Sequence, residues 1–317
     1  VKIIDLETMG SKLSYSQRSI VLSVNEQKRE FVIIDYRPDK FILKTIDYEG
    51  RQIDRKEIAR FNDTDYWDTI CALSPDRRYL AYLGYDKYLY LLDFETGEKT
   101  KLIKDQLVSD EMFMRGIRWL SDSEFIIIKQ KSTMSLYSPI DDSSLTRFNV
   151  KTKSVVKKIE LTRPEKYKIS PLKNYLLVLD SDRISPDFKL FDMKTLELLE
   201  SRKNSGFEYI DDVCWSPSEE YLAYVKNDSI VIRPRDSAKE REVKVLPKRA
   251  LCYHLEFLNE NTLIFTYGTK TNPDDENTLR AIDLTTGKES ILLKGEFFRG
   301  RIYVIDNGRK LIAEVGD

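Results

Sequence analysis

Along most of this chain, apolar runs of four to six residues alternate with short polar turns, and the order of runs and turns recurs. The clearest copy is Leu73-Ser74-Pro75-Asp76-Arg77-Arg78-Tyr79-Leu80-Ala81-Tyr82, followed by Tyr88-Leu89-Tyr90-Leu91-Leu92-Asp93 and then by the turn Glu95-Thr96-Gly97-Glu98-Lys99. Apolar runs this short, bounded by Ser, Pro, Asp and Gly, predict strands rather than helices.

Aligned on the first turn, the copies fall at Ser23, Ser74, Ser121, Ser170, Ser216, Asn259 and Asp306. Their spacing of roughly 43 to 51 residues is that of one four-stranded propeller blade. Each turn lies between two apolar runs, as in Ile117-Arg118-Trp119-Leu120 before Ser121 and Phe125-Ile126-Ile127-Ile128 after it. A second turn recurs at Asp47-Tyr48-Glu49-Gly50, Glu95-Thr96-Gly97, Asn149-Val150-Lys151-Thr152, Asp192-Met193-Lys194-Thr195 and Asp283-Leu284-Thr285-Thr286-Gly287. It closes the hairpin of the two outer strands, with Gly supplying a positive φ. Arg235-Asp236-Ser237-Ala238-Lys239 keeps the polarity of that turn and loses the glycine.

The two ends of the chain complete each other. Ile3-Ile4-Asp5-Leu6-Glu7-Thr8 matches the outer half of a blade, and Arg301-Ile302-Tyr303-Val304-Ile305-Asp306 with Lys310-Leu311-Ile312-Ala313 matches the inner half. The expected architecture is therefore all-β: a seven-bladed β-propeller of four-stranded antiparallel blades, residues 1–317 forming one domain and one blade closed by both termini. Closure removes the free sheet edges that invite aggregation.

Charge narrows the partners. The 317 residues carry 52 Lys and Arg against 53 Asp and Glu, a net charge of −1, so no global basic field recruits nucleic acid or an anionic membrane. No apolar run is long enough to span a bilayer, and no signal peptide is expected within residues 1–317. The start at Val1 is expected to mark a removed leader, anchor or tag, or a trimmed chain.

Candidate chemistry is sparse. Cys71, Cys214 and Cys252 fall on innermost strands, and an odd count without short spacing argues against a disulfide framework or zinc, so all three are expected to be buried thiols. The single histidine, His254, rules out a metal site built from several histidines and reads as a packed strand residue. No Gly-x-Ser-x-Gly elbow or Gly-rich phosphate loop occurs. The acidic clusters Asn62-Asp63-Thr64-Asp65, Asp141-Asp142 and Asp274-Asp275-Glu276 lack calcium-loop spacing and read as solvated loops. No catalytic residue, cofactor or metal is expected from these absences.

The Leu73 to Tyr82 segment and Trp215-Ser216-Pro217-Ser218-Glu219-Glu220-Tyr221-Leu222-Ala223-Tyr224 resemble the WD40-like repeat of TolB-type propellers, found also in the propeller domains of prolyl oligopeptidase and dipeptidyl peptidase IV relatives. The resemblance implies a protein-binding or gating scaffold, commonly of the bacterial envelope, so an exported or envelope location is favoured over a cytoplasmic one; a monomer is expected. The chain departs from the oligopeptidases in having no room for an α/β-hydrolase domain. It departs from TolB in lacking the preceding α/β domain and in having seven blades rather than six.

In a propeller, the loops entering the innermost strands and those joining the second and third strands gather on one face around the central channel. Here they bring together Arg18, Tyr66, Trp67, Asp68, Phe113, Arg115, Phe207, Tyr209, Asp211, Phe298, Arg299 and Arg301. Aromatic and Arg side chains are the usual anchors of interfaces. The first expectation is a non-enzymatic scaffold that binds a protein or peptide on this loop face. The alternative is a glycan-binding or glycan-cleaving propeller, with Tyr66, Trp67, Phe207 and Tyr209 stacking on sugar rings and Asp68 and Asp211 serving as acid and base. A plainer reading has the aromatics plug gaps between blades and the charges pair across the mouth.

Overall fold

The computed structural model describes residues 2–7, 11–12, 19–36, 40–59, 71–83, 88–102, 112–131, 143–161, 164–181, 186–202, 210–237, 239–248, 250–268, 278–294 and 302–313. They form seven four-stranded antiparallel sheets. In six of them the strands follow one another in sequence order, as in blade 1 with Ser19–Asn25, Glu30–Tyr36, Lys40–Asp47 and Gln52–Ala59. Blade 7 is built from both ends of the chain: Lys2–Asp5 pairs with Lys310–Ala313, placing Ile3 opposite Ile312 and Ile4 opposite Leu311.

Packing between blades closes the ring. Seven apolar clusters occupy the interfaces 1–2, 2–3, 3–4, 4–5, 5–6, 6–7 and 7–1. The second strand of a blade is buried on both faces, so its sequence is a continuous apolar run rather than an alternation. In Tyr175–Ser181, Leu176 and Val178 face blade 3 while Leu177 and Leu179 face blade 5.

The repeated Ser-Pro turn has a physical basis. The Oγ of Ser74, Ser170 and Ser216 accepts the backbone N–H of Tyr79, Tyr175 and Tyr221 at 2.8, 2.9 and 3.1 Å, closing the turn from inside. Tyr79 then stacks on Trp119 and Tyr175 on Trp215, each the Trp of the next blade. Those indoles reach back to carbonyls of the preceding blade, Trp119 to Ala72 at 2.9 Å and Trp215 to Lys168 at 3.4 Å. Blade 6 carries Phe257 at this place, and Tyr221 is left exposed.

One alignment is corrected. Ser23 is not a turn residue: it lies within Ser19–Asn25, paired with Val32. The turn of blade 1 is centred on Glu26, whose carbonyl accepts the N–H of Arg29 as the Ser74 carbonyl accepts that of Arg77. Blade 1 has no buried serine there, and the nearest Ser misled the alignment by three residues.

Candidate functional site

The innermost strands run from the loop face to the opposite face, where the turns between first and second strands lie. Arg18, Tyr66, Trp67, Asp68, Phe207, Tyr209, Phe298, Arg299 and Arg301 fall outside the described residues, as do the three acidic clusters. Phe113 and Arg115 lie near the loop-face start of Met112–Trp119, and Asp211 near that of Ile210–Trp215.

Their backbone setting adds something the repeat pattern did not show. Pairing shifts between Met114 and Gly116, so Arg115 is the extra residue of a β-bulge, and a second shift between Ile210 and Val213 places Asp211 in another. Innermost strands of blades 4 and 6 shift likewise, between Pro164 and Lys166 and between Cys252 and His254. Bulges bend a strand and re-aim its residues, and they collect beside binding sites. No local signal in the sequence marks them, because a bulge is a mismatch in count between two strands.

Beyond the bulges, the innermost strands line a channel cavity of about 600 Å³. Its wall is apolar at Val21, Ile117, Ile169 and Ile302, and polar at Arg77, Arg118, Tyr167, Lys168, Lys173, His254 and Glu256. The two indole-to-carbonyl bonds tie blade 3 to blade 2 and blade 5 to blade 4. The Arg118 guanidinium lies 5.7 Å from the centre of the Tyr167 ring. Lys168 Nζ lies 3.5 Å from Glu256 Oε2, an ion pair reaching from blade 4 to blade 6.

His254 lies on an innermost strand as expected, half-buried against the channel, and its carbonyl accepts the Cys252 thiol at 3.2 Å. The expectation of three buried thiols holds for Cys214 and Cys252, whereas Cys71 is half-buried and lines the cavity. At the turn-face mouth, the Lys173 ammonium is held below the ordinary lysine range by desolvation, with Asp122 pulling weakly the other way.

Comparisons with known proteins bear on the fold. No protein-family profile and no curated protein sequence matches the chain. Solved structures do. An oligogalacturonate lyase from Vibrio parahaemolyticus matches at 16% identity over 98% of this chain and 87% of its own, with a TM-score of 0.61. An oligogalacturonate lyase in complex with manganese matches at 13% identity over the same shares, with a TM-score of 0.62. Hydrazine synthase of Kuenenia stuttgartiensis matches at 12% identity over 82% of this chain and 75% of its own, with a TM-score of 0.52.

Identities this low establish a shared fold. They support the propeller named from the repeat without singling out its TolB-type variety. The first expectation, a non-enzymatic scaffold for a protein partner, is corrected by the same finding: the two propellers that match along 98% of the chain are enzymes named for a glycan. It failed because it rested on missing catalytic motifs, and a propeller site assembled from separate loops leaves no contiguous motif to find. The chain has one histidine, and among the described residues no three of His, Cys, Asp and Glu gather as metal ligands.

Proposed function

We propose that this protein binds an acidic oligosaccharide of the uronate class across its loop face and cleaves it there. The observation that carries the proposal is the chain-long likeness to two propellers named as oligogalacturonate lyases. The residues the repeat brings to that face suit such a ligand. Arg18, Arg115, Arg299 and Arg301 offer planar forks for sugar carboxylates, and Tyr66, Trp67, Phe207 and Tyr209 offer flat apolar faces for sugar rings. The bulge at Arg115 interrupts the regular ladder close to that face.

Cleavage of a uronate by elimination removes the C5 proton to a base, forms the C4–C5 double bond, and releases the C4 oxygen with a proton. A cation on the sugar carboxylate stabilises the charge that develops beside C5. Arg115 is assigned to that carboxylate, and Asp211, in the bulge of the neighbouring innermost strand but one, to proton transfer. No step runs through a metal ion.

Calorimetric titration with tri-galacturonate tests binding. Trp67→Ala and Arg115→Ala are each expected to weaken it by about 1–3 kcal/mol, the usual loss of an interface anchor. Exchange of Glu95 or Glu98 in the outer hairpin should leave it unchanged. Cleavage is followed by ultraviolet absorbance of the unsaturated product, and Asp211→Asn should suppress it while binding persists. Failure of tri-galacturonate to bind, or equal binding of a neutral trisaccharide, overturns the proposal.

A further inference from the structure

The opposite end of the channel carries its own concentration of charge. Among the described residues, the cavity of about 600 Å³ is lined by Arg77, Arg118, Lys168 and Lys173 against a single carboxylate, Glu256, in a chain whose net charge is −1. Its lining comes from the far ends of the innermost strands and from Pro75, Arg77 and Lys173 in the turns, so it opens away from the loop face.

Two of the four cations are already neutralised. Arg77 pairs with Glu30 of blade 1, and Lys168 with Glu256 at 3.5 Å. The other two are not. Arg118 makes one hydrogen bond, from Nη1 to the Ile117 carbonyl at 3.0 Å, and rests on Tyr167. Lys173 reaches only the Leu120 carbonyl, at 3.5 Å. Neither has a carboxylate within ion-pair distance among the described residues. A guanidinium held over an aromatic ring, its remaining N–H groups unused, is pre-organised for a planar oxyanion. Apolar walls strengthen that attraction over its value in water.

From this geometry we infer that the turn-face end of the channel is an anion site, taking a small carboxylate or phosphate group on Arg118 with Lys173 as the second cation. The inference goes beyond the loop-face proposal and stands without it.

The test is calorimetric titration of the full chain with D-galacturonate, inorganic phosphate and D-galactose at low ionic strength. Galacturonate or phosphate is expected to bind at least tenfold more tightly than neutral galactose. The tighter of the two anions identifies the source as an organic acid or a phosphate. Arg118→Gln should weaken anion binding tenfold or more with an unchanged melting temperature, and Lys173→Gln, at the mouth, should weaken it. Binding of neither anion, equal binding of galactose, or anion binding indifferent to Arg118→Gln overturns the inference. Tri-galacturonate binding lost in Trp67→Ala but kept in Arg118→Gln separates the two ends of the channel.

Discussion

Gly308 shows how a single backbone position joins two blades. It has a φ of +83° in the turn of blade 7, and a Cβ placed on it would overlap the Leu258 carbonyl of blade 6. Gly97, in an outer hairpin, has a φ of +73° with nothing within 4 Å of such an atom. Gly97→Ala therefore faces only the left-handed backbone cost, about 1 kcal/mol. Gly308→Ala faces that cost plus displacement of a neighbouring backbone, and is expected to lose at least about twice as much. Denaturant midpoints of the two variants measure the difference; equal losses would mean that blades 6 and 7 separate easily. The positive φ at Lys153 and Leu196, in turns where other blades use Gly, shows that glycine was sufficient there but not required.

At the scale of the element, the recurrent Asp is what builds the outer turn. The carboxylate of Asp93 accepts the N–H of Glu95 at 2.8 Å, that of Asp192 the N–H of Thr195 at 2.7 Å, and that of Asp283 the N–H groups of Thr285 and Thr286 at 2.9 and 2.7 Å. All three are held below the ordinary value of 3.8. At Asp192 and Asp283 the backbone hydrogen bonds lead; at Asp93 burial pushes up, but the Arg78 side chain and the turn N–H groups outweigh it. A carboxylate whose folded value is depressed stabilises the fold fully above its unfolded value, and that contribution is lost as pH falls through the folded one.

Stability is thus expected to fall with acidification below about pH 4. Replacing Asp93, Asp192 and Asp283 together by Asn, the residue blade 3 uses at Asn149, should flatten that fall. Parallel losses in parent and variant, followed by urea unfolding from about pH 6 to 3, would place the acid sensitivity elsewhere. The inner turns carry a second recurrent device. The positive-φ residue reaches back to the preceding blade: Arg29 to Asp306, Arg77 to Glu30, Lys173 to the Leu120 carbonyl, and Glu219 to the N–H of Leu172 and the amide of Asn174. Its chemistry varies between Arg, Lys and Glu while its direction stays, so residue type alone concealed it.

For the whole molecule, closure is the property on which the rest depends. Ile4 is buried with Leu311 and Ala313 against Ile264, Leu279 and Ala281 of blade 6, and Ile3 with Ile312 against blade 1. Deleting residues 1–7 removes the third strand of blade 7, together with apolar contacts to both neighbours. The expected cost is roughly 3 kcal/mol or more, the scale of losing large buried aliphatic side chains, read as a lowered thermal midpoint. An unchanged midpoint would show that the ring holds without this strand. Closure also gathers the charges of the channel: Arg118, Lys168 and Glu256 are far apart in sequence and line one cavity only because three blades face one axis.

The blade count, the order of strands and the split blade were legible in the residues, because each rests on local patterns: short apolar runs, an Asp or Ser that closes its own turn, and a repeat long enough to align. Only the tertiary structure decided the bulges at Arg115 and Asp211, the exposure of Cys71 to the channel, and the Lys168 to Glu256 pair that crosses it. These depend on the relative register of strands and on which blades face one another across the axis. A sequence periodic in blades carries no local mark of a distance measured between them.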